Sequence, residues 1–451
     1  MENESKFFKL LEKYIMGPLG KMAQFQVVRA IMGAGVAAIP FTIVGSMFLV
    51  FNVIPQTFTF LEPFFESTFF KFSDLYMLAN TATMGVLALY FNLALGYEYA
   101  QIIADDEDLD LNGLSGSLLS LFAFLMAIPQ LVFEDGAIQL VNTMTEDTTI
   151  VNGWQMSGSG VERFGTVGIF TGIIMAIVAV NLYKLCVKKN WIVRLPEEVP
   201  EGVARAFTAL IPSFVVAFTI LIINAIFVLL GTDIFQVVEI PFGFVTNLTN
   251  NVFGVMVIYF IIHALWLVGI HGANIIMSLL QPITLANMAI NAAGNQGIFP
   301  LAGEFNNAYV TVGGSGATLL LTFYLAYMAK SKQLSAIGKA SLIPSIFNIN
   351  EPLIFGLPII YNPYLAIPFL LAPMVVSAIA FLTIQFGLVS PMIALLPWPS
   401  PVGIGAFIGT GGDWRAAVLS IIVVVIAGLI YLPFIRVYDQ KLVAEEQENV
   451  E

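Results

Sequence analysis

The sequence predicts an all-α polytopic membrane protein, and three observations lead to that fold class. The chain of 451 residues is 58% hydrophobic and has a mean hydropathy of +0.88. Only 11% of its residues are charged, whereas a soluble domain carries roughly 25%. Several apolar segments reach the roughly 20 residues that a spanning helix needs. Backbone groups in lipid must be paired internally, and the alternating pattern of barrel strands is not found, so these segments are expected to be helices.

The apolar segments fall into two halves of the membrane region. Those long enough to span are 31–54, 77–98, 114–133, 165–186, 207–231, 252–270, 364–390 and 416–435. The halves are separated by 194–212, RLPEEVPEGVARAFTALIP, whose prolines and charges are typical of a connector. The first half reads as plain spans of ordinary length, whereas the second half is rich in Asn, Gly and Pro.

The basic residues predict the orientation in the membrane. Of the 18 Lys and Arg residues, 15 lie in four clusters: Lys6, Lys9, Lys13, Lys21 and Arg29; Lys184, Lys188, Lys189, Arg194 and Arg205; Lys330, Lys332 and Lys339; Arg436 and Lys441. The positive-inside rule places all four clusters, and with them both termini, on the cytoplasmic side. Segments 55–76 and 134–163 are then outside. The acidic stretch 105–110, DDEDLD, must lie inside, and the rule tolerates this because it counts basic residues only.

Residues 1–30 predict an amphipathic helix on the cytoplasmic side. Apolar residues recur at helical spacing opposite a row of lysines: Phe7, Leu10, Leu11, Tyr14 and Ile15 against Lys6, Lys9 and Lys13. This pattern fits a helix lying on the inner membrane surface, and equally a first helix packed on protein. Charges interrupt every apolar run, so a cleavable signal peptide is not expected here.

Two stretches of the second half are unsuited to plain spans. One is 269–300, and the other is 340–363, where prolines stand at positions 344, 352, 358 and 363. Each proline removes a helix hydrogen bond, and irregular backbone at membrane depth needs protein or a water-filled cavity around it. Broken helices of this kind commonly form transporter binding sites. We therefore expect two re-entrant hairpins around a polar cavity, with kinked but complete spans as the alternative.

Glu351 and His271 are the candidate catalytic pair. Glu351 lies among prolines and apolar side chains in FNINEPLIFG, and ionisable residues inside a membrane are costly and usually functional. His271 stands between Gly269 and Gly272, where backbone or ligand can approach closely. A carboxylate and an imidazole that meet across a cavity could orient a hydroxyl group and move its proton. The only other histidine, His263, is interpreted as structural.

Amide and aromatic side chains around this pair predict a carbohydrate site. The pool comprises Asn274, Asn287, Asn291, Asn306, Asn307, Asn348 and Asn350, with Trp266 and Trp398; the substrate-binding candidates are Trp266, Asn274, Asn307, Asn350 and Trp398. Amides hydrogen-bond hydroxyl groups, and aromatic rings stack on the apolar faces of sugars. Several of the asparagines are expected instead at hairpin caps and turns. Trp398 equally fits an anchor at the membrane interface.

Other familiar motifs are excluded. VGGSGATLLL, 312–321, lacks the Lys of a phosphate-binding loop and leads into an apolar helix, so close helix packing is the better interpretation. The single cysteine, Cys186, rules out a disulfide within the chain. No metal-ligand cluster, cofactor motif or basic nucleic-acid surface is found, so neither a metal, a cofactor nor a nucleic-acid partner is expected.

Four motifs together resemble a known family. WLVGIHG, VGGSGATL, NINEPLIFGLPIIYNP and LPEEVPEGVARAFTALIP resemble those of the enzyme IIC membrane component of the bacterial phosphotransferase system, in its lactose, cellobiose and diacetylchitobiose group. The resemblance covers nearly the whole chain. It implies about ten transmembrane helices, re-entrant hairpins near 269–300 and 340–363, a homodimer and an elevator-type movement. The implied domains are the 1–30 helix, an interface domain over 31–235 that includes connector 190–207, a sugar-binding transport domain over 236–437, and a cytoplasmic tail over 438–451.

The resemblance also implies a function. The protein is expected to be a multi-pass permease of the bacterial cell membrane that imports a β-linked disaccharide and phosphorylates it in the same process. Carried over by motif, Glu351 and His271 would hold the accepting hydroxyl group, with Glu351 as its base, while Trp266 and Trp398 match the pocket aromatics. Cys186 lies in no phosphocysteine-like loop and no further soluble domain is expected, so the phosphoryl donor is expected to be a separate enzyme IIB, with IIA upstream. The chain would then be an enzyme only as the membrane subunit.

The substrate and one competing function stay open. The segment 301–312, LAGEFNNAYVTV, lacks the Trp, Lys-Pro and Asp pattern of diacetylchitobiose members, which favours a cellobiose-like sugar. The alternative function is a proton-coupled sugar symporter in which Glu351 and His271 form the relay.

Overall fold

The chain forms two compact units. The computed structural model describes residues 21, 24–57, 59–145, 148–157, 160–196, 199–267, 271–294, 297–357, 359, 363–397 and 399–448. One unit, here called the early unit, is built from 23–45 and 76–245. The other, the late unit, is built mainly from 46–75 and 246–451. Of the predicted helix over 1–30, residues 1–20, 22 and 23 lie outside the described residues, and α1 already begins at Gln26.

Helices dominate both units. In chain order they are α1 (Gln26–Thr57), α2 (Glu62–Ser67), α3 (Ser73–Thr81), α4 (Leu87–Glu107), α5 (Gly113–Ala127), α6 (Ile169–Lys188), α7 (Glu201–Thr208), α8 (Leu210–Leu229), α9 (Ile234–Thr249), α10 (Val252–Trp266), α11 (Gly272–Ala293), α12 (Leu319–Tyr327), α13 (Lys332–Ile346), α14 (Glu351–Gly356), α15 (Pro363–Gln385), α16 (Ile404–Gly409) and α17 (Trp414–Glu448). Short 3-10 turns cover Thr59–Leu61, Phe69–Phe72, Met84–Val86, Glu162–Phe164 and Thr166–Gly168, and Asn306–Val310 is a π-helix.

The helical membrane character predicted from composition is confirmed. Among the described residues, six helices are long and apolar enough to cross a membrane: Gln26–Val53, Phe69–Glu107, Thr166–Lys188, Gly202–Leu229, Tyr364–Gln385 and Trp414–Glu448. Two shorter apolar helices, Gly113–Ala127 and Val252–Trp266, accompany them. Each of the eight spans expected from hydropathy therefore contains a helix.

A small β-structure departs from the all-α prediction. Strands β1 (Leu131–Glu134) and β2 (Ala137–Leu140) form one hairpin, and β3 (Thr143–Met144), β4 (Thr149–Val151), β5 (Trp154–Ser157) and β6 (Gly160–Val161) form an antiparallel sheet. The turns are Asp135-Gly136 and Asn152-Gly153, with all four residues at positive φ. These dipeptides are the strongest short-range hairpin signal. Span 114–133 was therefore predicted too long, because its helix ends at Ala127.

Close helix contacts in the early unit depend on small residues. A Cβ atom on Gly96 of α4 would lie 2.3 Å from the Ser120 hydroxyl of α5. A Cβ atom on Gly116 would lie 2.5 Å from the Ala100 methyl group. Glycines at these crossings let the two backbones approach closely. In a membrane the hydrophobic effect does not drive helices together, so helix association depends on such close packing.

Ion pairs place the acidic stretch 105–110 beside basic residues of two clusters. The Asp106 carboxylate accepts a hydrogen bond from Arg29 at 2.9 Å. Glu107 accepts from Lys188 at 2.6 Å and also from Lys184. The end of α4, the start of α1 and the end of α6 therefore lie at one end of the early unit.

In the late unit, α17 holds the start of α13. The Asp439 carboxylate, only 4% exposed, accepts hydrogen bonds from the backbone N–H of Lys330 and of Ser331, at 3.0 and 2.9 Å. About two helical turns further along α17, the Glu446 carboxylate accepts hydrogen bonds from the backbone N–H groups of Lys332 and Gln333, both at 3.1 Å. Carboxylates at a helix N-terminus satisfy its free N–H groups and its positive dipole end.

The two unusual stretches differ from each other. Within 269–300, α11 runs as one helix from Gly272 to Ala293 with Pro282 inside it. The stretch 340–363 does break: α13 ends at Ile346, and α14 begins at Glu351.

We expect Asp439→Ala to destabilise the protein by about 1–3 kcal/mol, because buried N–H groups at the start of α13 lose their acceptor. Thermal unfolding of the purified protein in detergent measures this. Glu445→Ala is the matched control on the same helix, since Glu445 is half exposed and only pairs with Lys441 at 3.5 Å. Such surface pairs contribute about 0–1 kcal/mol. Equal unfolding midpoints for the two variants would show that Asp439 does not stabilise the start of α13.

Candidate functional site

The site forms where the polypeptide breaks between α13 and α14. Asn348 lies at this break with φ of 61°, in the left-handed region that Asn tolerates better than most residues. Pro352 stands in the first turn of α14, where its missing N–H costs nothing. The prediction that the prolines break this helix is therefore corrected: Asn348 makes the turn, and Pro352 starts the next helix.

The Asn348 side chain joins three segments. Its Oδ1 accepts a hydrogen bond from the Gly313 N–H at 2.8 Å. Its Nδ2 donates to the backbone carbonyls of Ser400 at 3.2 Å and of Asn307 at 3.4 Å. The turn between α13 and α14, here called the tip, carries Glu351 at its end. Hydrogen bonds therefore connect the tip to the glycine loop (312–318), to the π-helix and to the loop before α16.

Asn350 holds the glycine loop. Its Nδ2 donates to the Ser315 carbonyl and to the Thr318 hydroxyl, both at 2.7 Å, and the residue is 3% exposed. A Cβ atom on Gly314 would come within 2.2 Å of the Asn350 side chain. The interpretation of VGGSGATL as a packing motif fits these contacts. As a sugar ligand Asn350 stays a prediction, and its amide is already engaged within the protein.

Glu351, His271 and Trp266 lie together. Glu351 lies within electrostatic range of the His271 ring, which precedes α11. The His271 and Trp266 ring centroids are 4.3 Å apart, with the planes inclined by 49°. Glu351 Oε2 and Trp266 Nε1 are buried and have no hydrogen-bond partner among the described residues. Buried polar atoms normally have a partner, so this group of side chains is suited to a polar ligand.

A small pocket, here called the Glu304 pocket, adjoins the broken helix. Its walls are Glu304, Asn307, Ala308, Leu396, Pro397, Ser400, Pro401, Val402, Gly403, Gly405 and Ala406. Asn348 connects it to the tip through Asn307 and Ser400. Trp398 lies outside the described residues, as does the side chain of Asn274 on α11.

Other asparagines of the predicted pool hold backbone groups. Asn287 donates to the Leu301 carbonyl at 2.8 Å. Asn291 donates to the carbonyls of Phe299 and Met392, at 2.9 and 3.1 Å, and accepts from the Phe299 N–H. The expectation that several asparagines serve turns and caps is consistent with these bonds.

His263 is fully buried within α10. Its Nδ1 donates to the Tyr259 carbonyl at 2.7 Å, and its ring packs edge-on against Phe369 at 5.3 Å between centroids. These contacts fit the structural interpretation. Within the described residues, no group of three His, Cys, Asp or Glu side chains is arranged to hold a metal ion.

Glu304 is the pocket residue that the sequence reasoning missed. Its carboxylate accepts a hydrogen bond from the Asn307 amide. A signal was available, because Glu304 is the only Asp, Glu, Lys or Arg between Glu239 and Lys330. The same argument from composition that selected Glu351 would have selected it.

A broken helix, a carboxylate with one buried oxygen near an imidazole and an indole, and an adjoining pocket are typical of a membrane transporter for a polar solute. Comparison with known proteins narrows this class. The family model for the phosphotransferase system EIIC matches residues 32–373. The chain is 33% identical to the cellobiose-specific EIIC component of Geobacillus stearothermophilus, covering 98% of this chain and 97% of that one. It is 31% identical to the lactose-specific EIICB component of Streptococcus mutans, covering 93% of this chain and 70% of that one.

The solved structure of ChbC, the IIC component from the N,N'-diacetylchitobiose-specific phosphotransferase system, has the same fold. It matches with a TM-score of 0.84 and 31% identity over 97% of this chain and 99% of that one. The chain belongs to the phosphotransferase system EIIC family and is a sugar-specific IIC permease. The family predicted from the four motifs is confirmed.

Substitutions of Asn348 test its place in the site. We expect Asn348→Gly, which keeps the left-handed turn and removes the amide, to destabilise the protein by about 1–3 kcal/mol. Hydrogen exchange should rise in the loop 397–403, whose Ser400 carbonyl loses a donor. Asn348→Ala should cost about 1 kcal/mol more, because Ala is strained at this φ. If neither variant changes exchange in 397–403, Asn348 does not hold that loop.

Proposed function

We propose that this permease imports a β-linked disaccharide, most closely resembling cellobiose, and that the sugar is phosphorylated as it enters. The observation that carries the proposal is the meeting of Glu351, His271 and Trp266 beside the broken helix. Two observations favour cellobiose: the name of the Geobacillus relative, and the absence from 301–312 of the pattern of diacetylchitobiose members.

The chemistry asks for one hydroxyl group to be aimed and deprotonated. In the proposed step, the sugar hydroxyl attacks the phosphorus of a phosphocysteine, the new O–P bond forms, and the P–S bond breaks with the thiolate leaving. Glu351 accepts the hydroxyl proton as general base. His271 orients the hydroxyl and offsets charge, and the Trp266 ring stacks on the apolar face of the sugar.

The phosphoryl donor is proposed to be an enzyme IIB protein, itself phosphorylated by IIA. The name of the Streptococcus mutans relative joins IIC and IIB, and this chain covers 70% of that protein. Within this chain, Cys186 is buried in α6 and is no candidate for the phosphocysteine. The permease is therefore the membrane subunit of a phosphotransferase and is not catalytic alone.

The finer architecture is proposed on the same basis. It comprises about ten transmembrane helices with re-entrant hairpins near 269–300 and 340–363, a dimerising domain over 31–235, and a transport domain over 236–437 that moves as an elevator. Trp398, Asn274, Asn307 and Asn350 remain proposed sugar ligands. Both termini are proposed to be cytoplasmic, which the pairing of Glu107 with Lys184 and Lys188 supports.

Transport in proteoliposomes distinguishes this function from the proton-coupled symporter. With IIB, IIA and the upstream phosphotransfer proteins inside, cellobiose uptake should require phosphoenolpyruvate and should yield cellobiose phosphate. A protonophore should leave the initial rate unchanged within about twofold, because no proton gradient drives the step. Uptake that continues without phosphoenolpyruvate and stops with the protonophore would establish the symporter instead.

Glu351→Gln tests the catalytic role. The amide keeps the shape of the side chain but cannot take a proton, so phosphorylation should fall by about 10²-fold or more. Cellobiose binding to the purified protein should change much less. Glu445→Gln, an exposed carboxylate on α17, is the matched control and should phosphorylate at the normal rate. A normal rate for Glu351→Gln would exclude Glu351 as the base.

A further inference from the structure

One side of α13 stays exposed from its first residue to the tip. The opposite side packs on α12, where a Cβ atom on Gly338 would lie 2.3 Å from the Ala326 backbone nitrogen. Leu334, Ser341 and Ser345 are buried on that side. The exposed side, here called the α13 face, recurs at helical spacing and comprises Lys332, Gln333, Ala336, Lys339, Ala340, Ile343 and Phe347.

The α13 face carries positive charge and no negative charge. Residues 332–347 contain Lys332 and Lys339 and no Asp or Glu. The Lys332 backbone N–H donates to Glu446, so a carboxylate from α17 lies near the start of the face. The Lys339 ammonium group has no ion-pair or hydrogen-bond partner among the described residues. Its charge is therefore available to a molecule that docks on this face.

The position of Lys339 argues against lipid as the occupant. The start of α13 belongs to a basic cluster, which the positive-inside rule places at the cytoplasmic surface. Lys339 follows Lys332 by seven residues, which is about 10 Å along a helix. A charged side chain that faces hydrocarbon costs about 3 kcal/mol on insertion scales. A helix face with Lys339 in its middle therefore suits water or a protein partner.

A second copy of this chain is also disfavoured on the α13 face. In a two-fold symmetric contact the same face would meet itself, so Lys339 would approach its own equivalent. Like charges brought together in an interface are costly. The occupant should instead carry negative charge, and it should extend to the tip where the face ends.

We propose that the α13 face is the docking surface for the phosphorylated IIB donor, whose phosphoryl group Lys339 attracts toward Glu351. The inference rests on the proposed function, which requires such a donor. A phosphoryl group carries a charge of about −1.5 to −2 at pH 7, which complements the two lysines. The small side chains of Ala336 and Ala340, beside Lys339, leave room for a loop of the partner. A partner seated on this face reaches the tip, where the sugar hydroxyl group is proposed to react.

Equilibrium binding of phosphorylated IIB to the full-length permease in detergent tests the proposal. Lys339→Glu should weaken this binding about tenfold or more, because an attraction between charges becomes a repulsion. Added salt should weaken binding to the unaltered protein and should affect Lys339→Glu much less. Lys441→Glu is the matched control, since Lys441 is half exposed on α17 and pairs with Glu445. The control should bind IIB within about twofold of the unaltered protein, because exposed pairs contribute little.

A bulky side chain tests the same surface without changing its charge. Ala336→Trp should block the binding of IIB and leave the binding of cellobiose unchanged, because Ala336 is exposed on the α13 face and distant in sequence from the tip. Ala444→Trp, at an exposed position of α17, is the matched control and should bind both partners normally.

Kinetics separate docking from catalysis. Lys339→Glu should raise KM for phosphorylated IIB about tenfold and leave kcat and KM for cellobiose within about twofold, because it weakens an encounter and leaves the reacting groups in place. Glu351→Gln should instead lose kcat.

Amine labelling of the unaltered protein measures coverage of the face directly. Bound IIB should slow the acetylation of Lys339 and leave that of Lys441 unchanged. Slowing in a lipid nanodisc with no further effect of IIB would assign the face to lipid. Slowing that follows the permease concentration instead would assign it to a second copy. Either result overturns the proposal.

Each outcome decides a different point. The proposal is overturned if either Lys339→Glu or Ala336→Trp binds phosphorylated IIB as the unaltered protein does. If these variants do not fold, the labelling of Lys339 in the unaltered protein decides. If IIB covers this face but cellobiose is not phosphorylated, the proposed function fails and the docking assignment holds. If cellobiose is phosphorylated while Lys339 stays open to acetylation in the complex, the proposed function holds and the docking assignment is overturned. A permease that neither binds IIB nor receives its phosphoryl group overturns both.

Discussion

The site depends on the hydrogen bonds of one side chain, that of Asn348. A helix that continued past Ile346 would satisfy its own backbone groups and would present no polar tip. Asn348 instead adopts a left-handed conformation and uses its amide to bind three separate backbone groups. In surroundings without water, such groups would otherwise be unpaired at a cost of about 1–3 kcal/mol each. One residue thus ends a helix, starts another at Glu351, and fixes the loops that form the pocket.

Amides and carboxylates are used differently in the late unit. The amides of Asn287, Asn291 and Asn350 are engaged with backbone carbonyls or hydroxyl groups of the protein. Two carboxylates, Glu304 and Glu351, each keep an oxygen with no partner among the described residues. An amide both donates and accepts, so it suits irregular backbone, whereas a carboxylate only accepts, and the Glu351 carboxylate therefore suits a ligand rich in hydroxyl groups.

Several features of the site could be read from the residues alone, and some were missed. Glu351 is conspicuous because a charge among apolar residues is costly, and Glu304 has the same signature in the sequence. The hairpin turns at Asp135-Gly136 and Asn152-Gly153 are local signals that the all-α prediction overlooked. Pro282 lies inside α11, and the helix continues through it, because neighbouring segments can compensate for one missing hydrogen bond.

The sequence by itself determined the fold class, the helices that can span a membrane and the family, because hydropathy, charge placement and short motifs are local properties of the chain. It also marked His271 and Glu351 as unusual. Only the tertiary structure decided which asparagines serve the backbone, that Asn348 rather than a proline makes the break, and that Glu304 faces a pocket with Asn307 behind it. Those outcomes depend on which carbonyl and N–H groups meet across segments 35 to 52 residues apart, such as Gly313 and Ser400 around Asn348. A linear pattern does not specify such pairings, because any of several amides could satisfy the same backbone group until packing selects one.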